Sequence, residues 1–139
     1  MEFKAYNLKN WYDISYGEIL EFESTYYNSG GDYNNHTGMF TCSVPGLYYF
    51  SATLSAWDSD RSHPRPSNFA IVTEDFQKSD GYSYSDNTGN LNFKTVHLVY
   101  HLSQGDRVWV QNWNNSAKYT LFYNHFTGVL ISPDVNEEN

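Results

Sequence analysis

His97 and His101 stand four residues apart. On a helix that spacing can clamp a metal ion. On a strand the two imidazoles share a face but sit about 13 Å apart at ~3.3 Å per residue, too far to hold one ion within a chain. The carboxylates Asp58/Asp60 and Asp75/Asp80 serve acid–base chemistry only if they fold against each other; in loops such charges are ordinarily solvated. Calcium needs about six to eight oxygens. Asp58, Asp60, Asp80 and Asp86 are the candidate ligands, and no spacing among them resembles a compact calcium loop. His36, His63 and His125 sit beside turn residues with no Glu-x-x-His or cysteine partner, so no zinc pattern forms. There is no Gly-x-Ser-x-Gly elbow, phosphate-cradling glycine loop or dinucleotide fingerprint. The single cysteine, Cys42, allows no intrachain disulfide and lies in the apolar run 39–44, which reads as a buried thiol. No cofactor is called for, and the chain is expected to be non-catalytic.

Three polar stretches carry a different chemistry: Trp57 to Pro66, Tyr82 to Gly89 and Asn112 to Tyr119. Each mixes amides, hydroxyls and aromatic rings, and loops on a rigid sheet are where binding residues concentrate. Ordinary turn chemistry accounts for many such loops. A sugar ring, however, needs aromatic faces for its C–H groups and amides or charges for its hydroxyls. The candidate contacts are Trp57, Asp58, Arg61, Tyr82, Tyr84, Trp113, Asn114 and Tyr119. An anionic glycan would need a local cation from Arg61, Arg65, Arg107 or Lys118, and the first two share the Trp57 loop.

The elements that must position these residues are short and alternating. From Leu47 to Trp57, Tyr48, Phe50, Ala52, Leu54 and Ala56 fall on one side and Tyr49, Ser51, Thr53 and Ser55 on the other, the period of a strand with one face on a core. Phe93 to Leu102 repeats the pattern, with Val96, Leu98, Tyr100 and Leu102 on one face. Gly105-Asp106 then turns into Arg107 to Trp113, and a last strand runs from about His125 to Ile131. Weaker strands are expected over Phe3–Leu8, Ile19–Phe22, Met39–Ser43, Asn68–Thr73 and Phe76–Tyr84. Short strands with turn signals between them indicate an all-β sandwich or barrel.

Composition bounds the answer further. The 139 residues suit one domain. Aromatics are 19% of the chain, which excludes a disordered segment. The net charge of −8 and eight scattered cations argue against nucleic-acid binding. A mean hydropathy of −0.65, with no long apolar run, argues against membrane insertion. The start Met1-Glu2-Phe3-Lys4 lacks the basic and apolar regions of a secretory leader. Asn35-His36-Thr37 and Asn114-Asn115-Ser116 match the N-glycosylation pattern.

One spacing is specific. Phe22, Asn28, Tyr33, Phe40 and Gly46 are separated by five, four, six and five residues, and Tyr48 and Phe50 follow. This resembles the signature of the complement C1q globular-head family, of tumour-necrosis-factor-like fold. The blocks 28–33 and 38–50 are similar to the family's central block. Phe3-Lys4-Ala5 resembles its opening strand, Gly105 to Gln111 its penultimate strand and Phe126 to Ile131 its closing strand. Position 52, aromatic in the signature, is Ala here.

The resemblance implies a ten-stranded jelly-roll β-sandwich over residues 1–133, with a flexible acidic tail at 134–139, assembling as a homotrimer. It also implies secretion to the extracellular space and recognition by surface loops. Stand-alone members act as lectins on microbial glycans. With no Gly-x-y stalk before Phe3, the expected function is a trimeric innate-immune pattern-recognition lectin. The alternative is a protein-interaction head, a receptor ligand or the trimerising end of a larger assembly. Some family members bind calcium through Asp residues in the loop before the long strand; by spacing back from Asp106 those positions fall near Tyr84 and Asn92, neither acidic, with Asp86 the nearest carboxylate, and calcium binding stays open. The signature assigns Phe22, Tyr33, Phe40, Tyr48 and Phe50 to the core, joined by Tyr100 through alternation. Tyr49 and Trp109 fall on the opposite faces of their strands, where a trimer could bury them.

Overall fold

The computed structural model describes the backbone of residues 1–7, 12–15, 17–58, 66–75, 78–84, 91–113 and 119–135, and the side chains of 1–7, 15, 17–54, 69–75, 95–113 and 124–135. The strands are β1 (Glu2–Tyr6), β2 (Tyr12–Ile14), β3 (Ser24–Asn28), β4 (Tyr33–Asn34), β5 (Met39–Thr41), β6 (Gly46–Asp58), β7 (Pro66–Thr73), β8 (Lys78–Tyr84), β9 (Leu91–Leu102), β10 (Arg107–Asn112) and β11 (Tyr119–Pro133). One sheet runs β3-β1-β11-β6-β9 with β2 also paired to β11; the other runs β4-β5-β10-β7-β8. All strand pairs are antiparallel. The two sheets are the halves of a jelly-roll sandwich, ten strands with the three-residue β2 added at β11.

The long central strands form where alternation is strictest. Tyr48, Phe50, Ala52 and Leu54 of β6 are all fully buried, while Tyr49, Ser51 and Thr53 between them face outward and are half-buried. Val96 and Leu102 of β9 are buried, and Leu98 and Tyr100 pack against the core from its margin. The core itself is a stack of rings. Phe3 lies on Tyr33 and Phe40 at centroid separations of 4.9 and 5.3 Å and meets Phe126 edge-on at 5.0 Å. Burying each such ring contributes about 2–3 kcal/mol, and the offset and edge-on geometries add to that.

Ile19–Phe22, expected as a strand, is not one. Ile19 makes only an isolated bridge to Gln111, and Leu20 N–H donates to Val110 O at 2.8 Å. Leu20 and Phe22 do point into the core, which is what their alternation signalled. Phe22's backbone, however, is satisfied by a side chain: the Tyr33 hydroxyl accepts from Phe22 N–H at 2.9 Å and donates to Phe22 O at 3.1 Å. Tyr33 is held in turn by Asn28, whose amide donates to Tyr33 O at 2.8 Å and accepts from Tyr33 N–H at 3.2 Å. Ser24–Asn28, not expected as a strand, pairs with β1 at the sheet edge with a bulge between Lys4 and Ala5. Its Tyr26 and Tyr27 are exposed, so no alternation announces it. Gly38, which closes the β4–β5 turn, takes φ +78° directly over Leu20's carbonyl, a place no side chain can occupy.

Cys42 is buried as expected. Its thiol approaches Val44 O at 3.3 Å and the Tyr48 hydroxyl at 3.9 Å, and burial pushes its pKa up. Asp134, the first residue of the expected tail, donates its N–H to Pro45 O at 2.9 Å and places its carboxylate on His101 at 2.9 Å. Residues 136–139 lie outside the described residues.

Candidate functional site

Antiparallel pairing sets the backbones of Trp57, Asp58, Tyr82, Tyr84 and Tyr119 near the ends of their strands. Asp58 pairs with Tyr119 and Trp57 with Thr120 across β6–β11. Trp57 also pairs with Leu91 across β6–β9. In the second sheet Tyr84 pairs with Pro66 and Tyr82 with Asn68, and Asn112 pairs with Phe69. The end of β6, the start of β7, the end of β8, the start of β9, the end of β10 and the start of β11 are therefore the strand termini joined by segments 59–65, 85–90 and 114–118.

This changes the setting of several candidates. Trp57 and Asp58 are the last residues of β6, Tyr82 and Tyr84 lie within β8, and Tyr119 opens β11; the sequence puts Trp57, Tyr82 and Tyr84 where an expected strand meets a polar stretch, and Asp58 and Tyr119 in polar stretches alone. Sheet pairing extends further than the apolar pattern, because backbone hydrogen bonds need no hydrophobic side chain. Their side chains are outside the described set. Trp113 follows β10 and is half-buried. Arg61 and Asn114 lie outside the described residues, as do Arg65, Lys118, Asp60 and Asp86. Arg107, one of the four candidate cations, is committed elsewhere: its guanidinium is bidentate to Glu74, which holds Glu74 below the usual carboxylate range.

The histidine pair resolves into two unrelated contacts. His97 Nδ1 shares a hydrogen bond with the Tyr49 hydroxyl, the rings stacked at 5.7 Å, and His101 sits on Asp134. Asp75 is engaged by the hydroxyls of Thr73 and Tyr100. Among the described residues no group of three or more His, Cys, Asp or Glu side chains is placed to hold a metal. The outward aromatics sit on different sheets. Tyr49 is on the outer face of the six-stranded one, and Trp109, on the five-stranded one, donates its indole N–H to Gln111 Oε1 at 3.0 Å.

Two packed antiparallel sheets with this strand order place the chain in the tumour-necrosis-factor-like class. The fold matches the globular domain of zebrafish complement 1qA protein with a TM-score of 0.76 at 19% identity, covering 96% of this chain and 98% of that one. It also matches the Eiger tumour necrosis factor of S. frugiperda with a TM-score of 0.65 at 14% identity, covering 100% of this chain and 98% of that one. Within that class the C1q domain family model matches residues 3–131, and the chain belongs to the C1q domain family. Curated relatives include the human and mouse forms of complement C1q tumor necrosis factor-related protein 2, each 31% identical over 126 residues. These alignments cover 86% of this chain but only 41% of the human relative and 40% of the mouse one, so the chain spans less than half the length of the relatives it matches.

Proposed function

We propose that this chain is a secreted, non-catalytic recognition head that works as a homotrimer and binds glycans as an innate-immune pattern-recognition lectin. Residues 1–133 form the head and 134–139 a short acidic extension. Domains of the C1q and tumour-necrosis-factor-like class form trimers, and family members are recognition proteins. One observation carries the glycan reading. Strand pairing collects Trp57, Asp58, Tyr82, Tyr84 and Tyr119 at the same end of the sandwich, with Trp113 following β10. The Arg61 and Asn114 segments connect those strands. Three copies would give three weak sites avidity without any new contact. No described helix is long and apolar enough to cross a membrane.

A glycan array probed with the purified protein tests the reading. Binding to a defined subset of microbial or sialylated glycans, lost in Trp57→Ala, is the expected result, and uniformly flat signals would overturn it. Light scattering with and without a calcium chelator is expected to give the mass of three chains in both conditions.

The second reading, a protein-interaction head, is favoured by the coverage: relatives more than twice as long carry this domain as one part. It predicts saturable binding to a protein partner, indifferent to competing sugars.

A further inference from the structure

The triplet Asn35-His36-Thr37 matches the acceptor pattern for N-linked glycosylation, and the fold sets it where an acceptor must be. All three residues are exposed in the turn between β4 and β5. The turn is closed by local polar groups. Thr37 N–H and Gly38 N–H donate to Asn34 O at 3.3 and 2.9 Å. His36 N–H donates to Asn34 Oδ1 at 2.8 Å, and Met39 N–H to Thr37 Oγ1 at 3.3 Å. The triplet therefore keeps its shape without burying any of its side chains.

Asn35 itself reaches across to the other sheet. Its Nδ2 donates to Glu23 O at 3.0 Å, one residue before β3. A carboxamide nitrogen carries two hydrogens, and this contact uses one. A bond to a sugar replaces one hydrogen and leaves one for Glu23 O, so attachment does not require the turn to move. The turn belongs to the five-stranded sheet and lies at the seam beside β3. It is off the outer face of the six-stranded sheet, where Tyr49 sits, so assembly through that face leaves it open. The other match, Asn114-Asn115-Ser116, lies outside the described residues.

We propose that Asn35 is the acceptor of an N-linked glycan that shields the neighbouring sheet edges. The donor is an oligosaccharide carried on a polyprenyl diphosphate. The Asn35 nitrogen forms a bond to the anomeric carbon as the bond from that carbon to the diphosphate oxygen breaks. The diphosphate leaves with the electron pair, and a base of the transferring enzyme takes one amide proton. That enzyme faces the secretory lumen, so the inference rests on the secreted reading. The shielding follows from position. β3 and β4 are the end strands of their sheets. β3 reads Ser-Thr-Tyr-Tyr-Asn, without charge, and exposes Tyr26 and Tyr27. Such an edge is a template for pairing with another chain, and a bulky, hydrated oligosaccharide beside it obstructs the approach.

The test secretes the full chain from insect cells behind an added leader and treats it with peptide N-glycosidase in heavy-oxygen water. A drop in mass and a heavy-oxygen label at position 35 are expected. Asn35→Gln and Thr37→Ala should each abolish that label, whereas Thr37→Ser, which keeps the acceptor hydroxyl, and Asn114→Gln should retain it. An unlabelled position 35 in folded, secreted protein overturns the inference. So does a mass drop that survives Asn35→Gln and Thr37→Ala and is lost only in Asn114→Gln. The added leader delivers the chain to the lumen in every case, so a bare position 35 leaves the secreted reading standing. Finding the natural protein confined to the cell interior of its source tissue instead overturns that reading, and the inference with it. Both glycan-free variants are expected to aggregate at least about twofold faster on concentration than the glycosylated protein. They remove the glycan through different atoms, so a shared change belongs to the glycan rather than to the Asn35–Glu23 contact. Equal aggregation in all three proteins would overturn the shielding.

Discussion

Replacing Tyr33 with Phe removes one oxygen and leaves the ring stacked on Phe3 at 4.9 Å. That oxygen closes two hydrogen bonds, to both backbone groups of Phe22, at 2.9 and 3.1 Å. Phe22 is fully buried and Tyr33 only 3% exposed, so water does not readily take the hydroxyl's place. Each lost bond costs about 1 kcal/mol net, and a buried backbone group left without a partner costs about 1–3 kcal/mol. Relaxation of the 19–22 segment offsets part of this, so Tyr33→Phe is expected to destabilise by about 2–4 kcal/mol. Urea unfolding of parent and variant at one protein concentration measures it; the concentration is fixed because assembly adds to apparent stability. Asn28→Ala loosens Tyr33's own backbone, so the double variant is expected to lose less than the sum of the single losses. A Tyr33→Phe cost below about 0.5 kcal/mol, within the usual range of surface substitutions, would show that the hydroxyl clamp does not hold this segment.

Other expectations follow from single contacts. A Cβ on Gly128 would stand 2.5 Å from the Phe3 ring and 2.8 Å from the Phe50 ring, so Gly128→Ala is expected to cost about 1–3 kcal/mol by overpacking, read as a lowered Tm. Cys42 is 1% exposed and its thiol pKa is raised by burial, so a thiol reagent at pH 8 is expected to label it only at the rate of unfolding. Fast labelling of the folded protein would contradict the burial. His125 has its pKa lowered by burial and then by Lys4. The unfolded chain therefore binds more protons between the folded and ordinary imidazole values, and stability is expected to fall as pH drops through that window. His125→Gln should remove that part of the acid-side loss in urea midpoints between pH 8 and 5.

Central strands are legible because one face must be apolar. Tyr48, Phe50, Ala52 and Leu54 alternate with outward residues, and the fold buries all four. Edges are not legible. Ser24–Asn28 exposes both Tyr26 and Tyr27, and what makes it a strand is the hydrogen-bonding row of β1, which no side-chain pattern encodes. Ile19–Phe22 shows the opposite failure: its side chains alternate correctly, but the partner of Phe22's backbone is a tyrosine hydroxyl eleven residues away. The candidate contacts are readable as residue types near turns. That Asp58 faces Tyr119 requires the β6–β11 register. That Lys4, Ser51 and Thr127 meet is wholly hidden in the sequence, since they look like ordinary outward positions until three strands are set side by side.

The family signature and the proposed strand-end contacts occupy different parts of the chain, and that separation has a mechanical meaning. Phe22, Tyr33, Phe40, Tyr48 and Phe50 all lie in the buried core, and Asn28 spends its amide on Tyr33's backbone. None of these side chains is free to meet a ligand, so the signature specifies a scaffold and is silent about what the scaffold binds. The proposed strand-end contacts draw instead on strand termini, positions that the core cluster does not include. Substitutions in the signature should therefore change stability while leaving ligand preference intact in whatever protein remains folded. Substitution at Trp57 should change binding with little effect on unfolding. A Tyr33→Phe protein that stays folded yet binds a different set of glycans would break this division, because it would require the buried clamp to shape a surface that it does not touch.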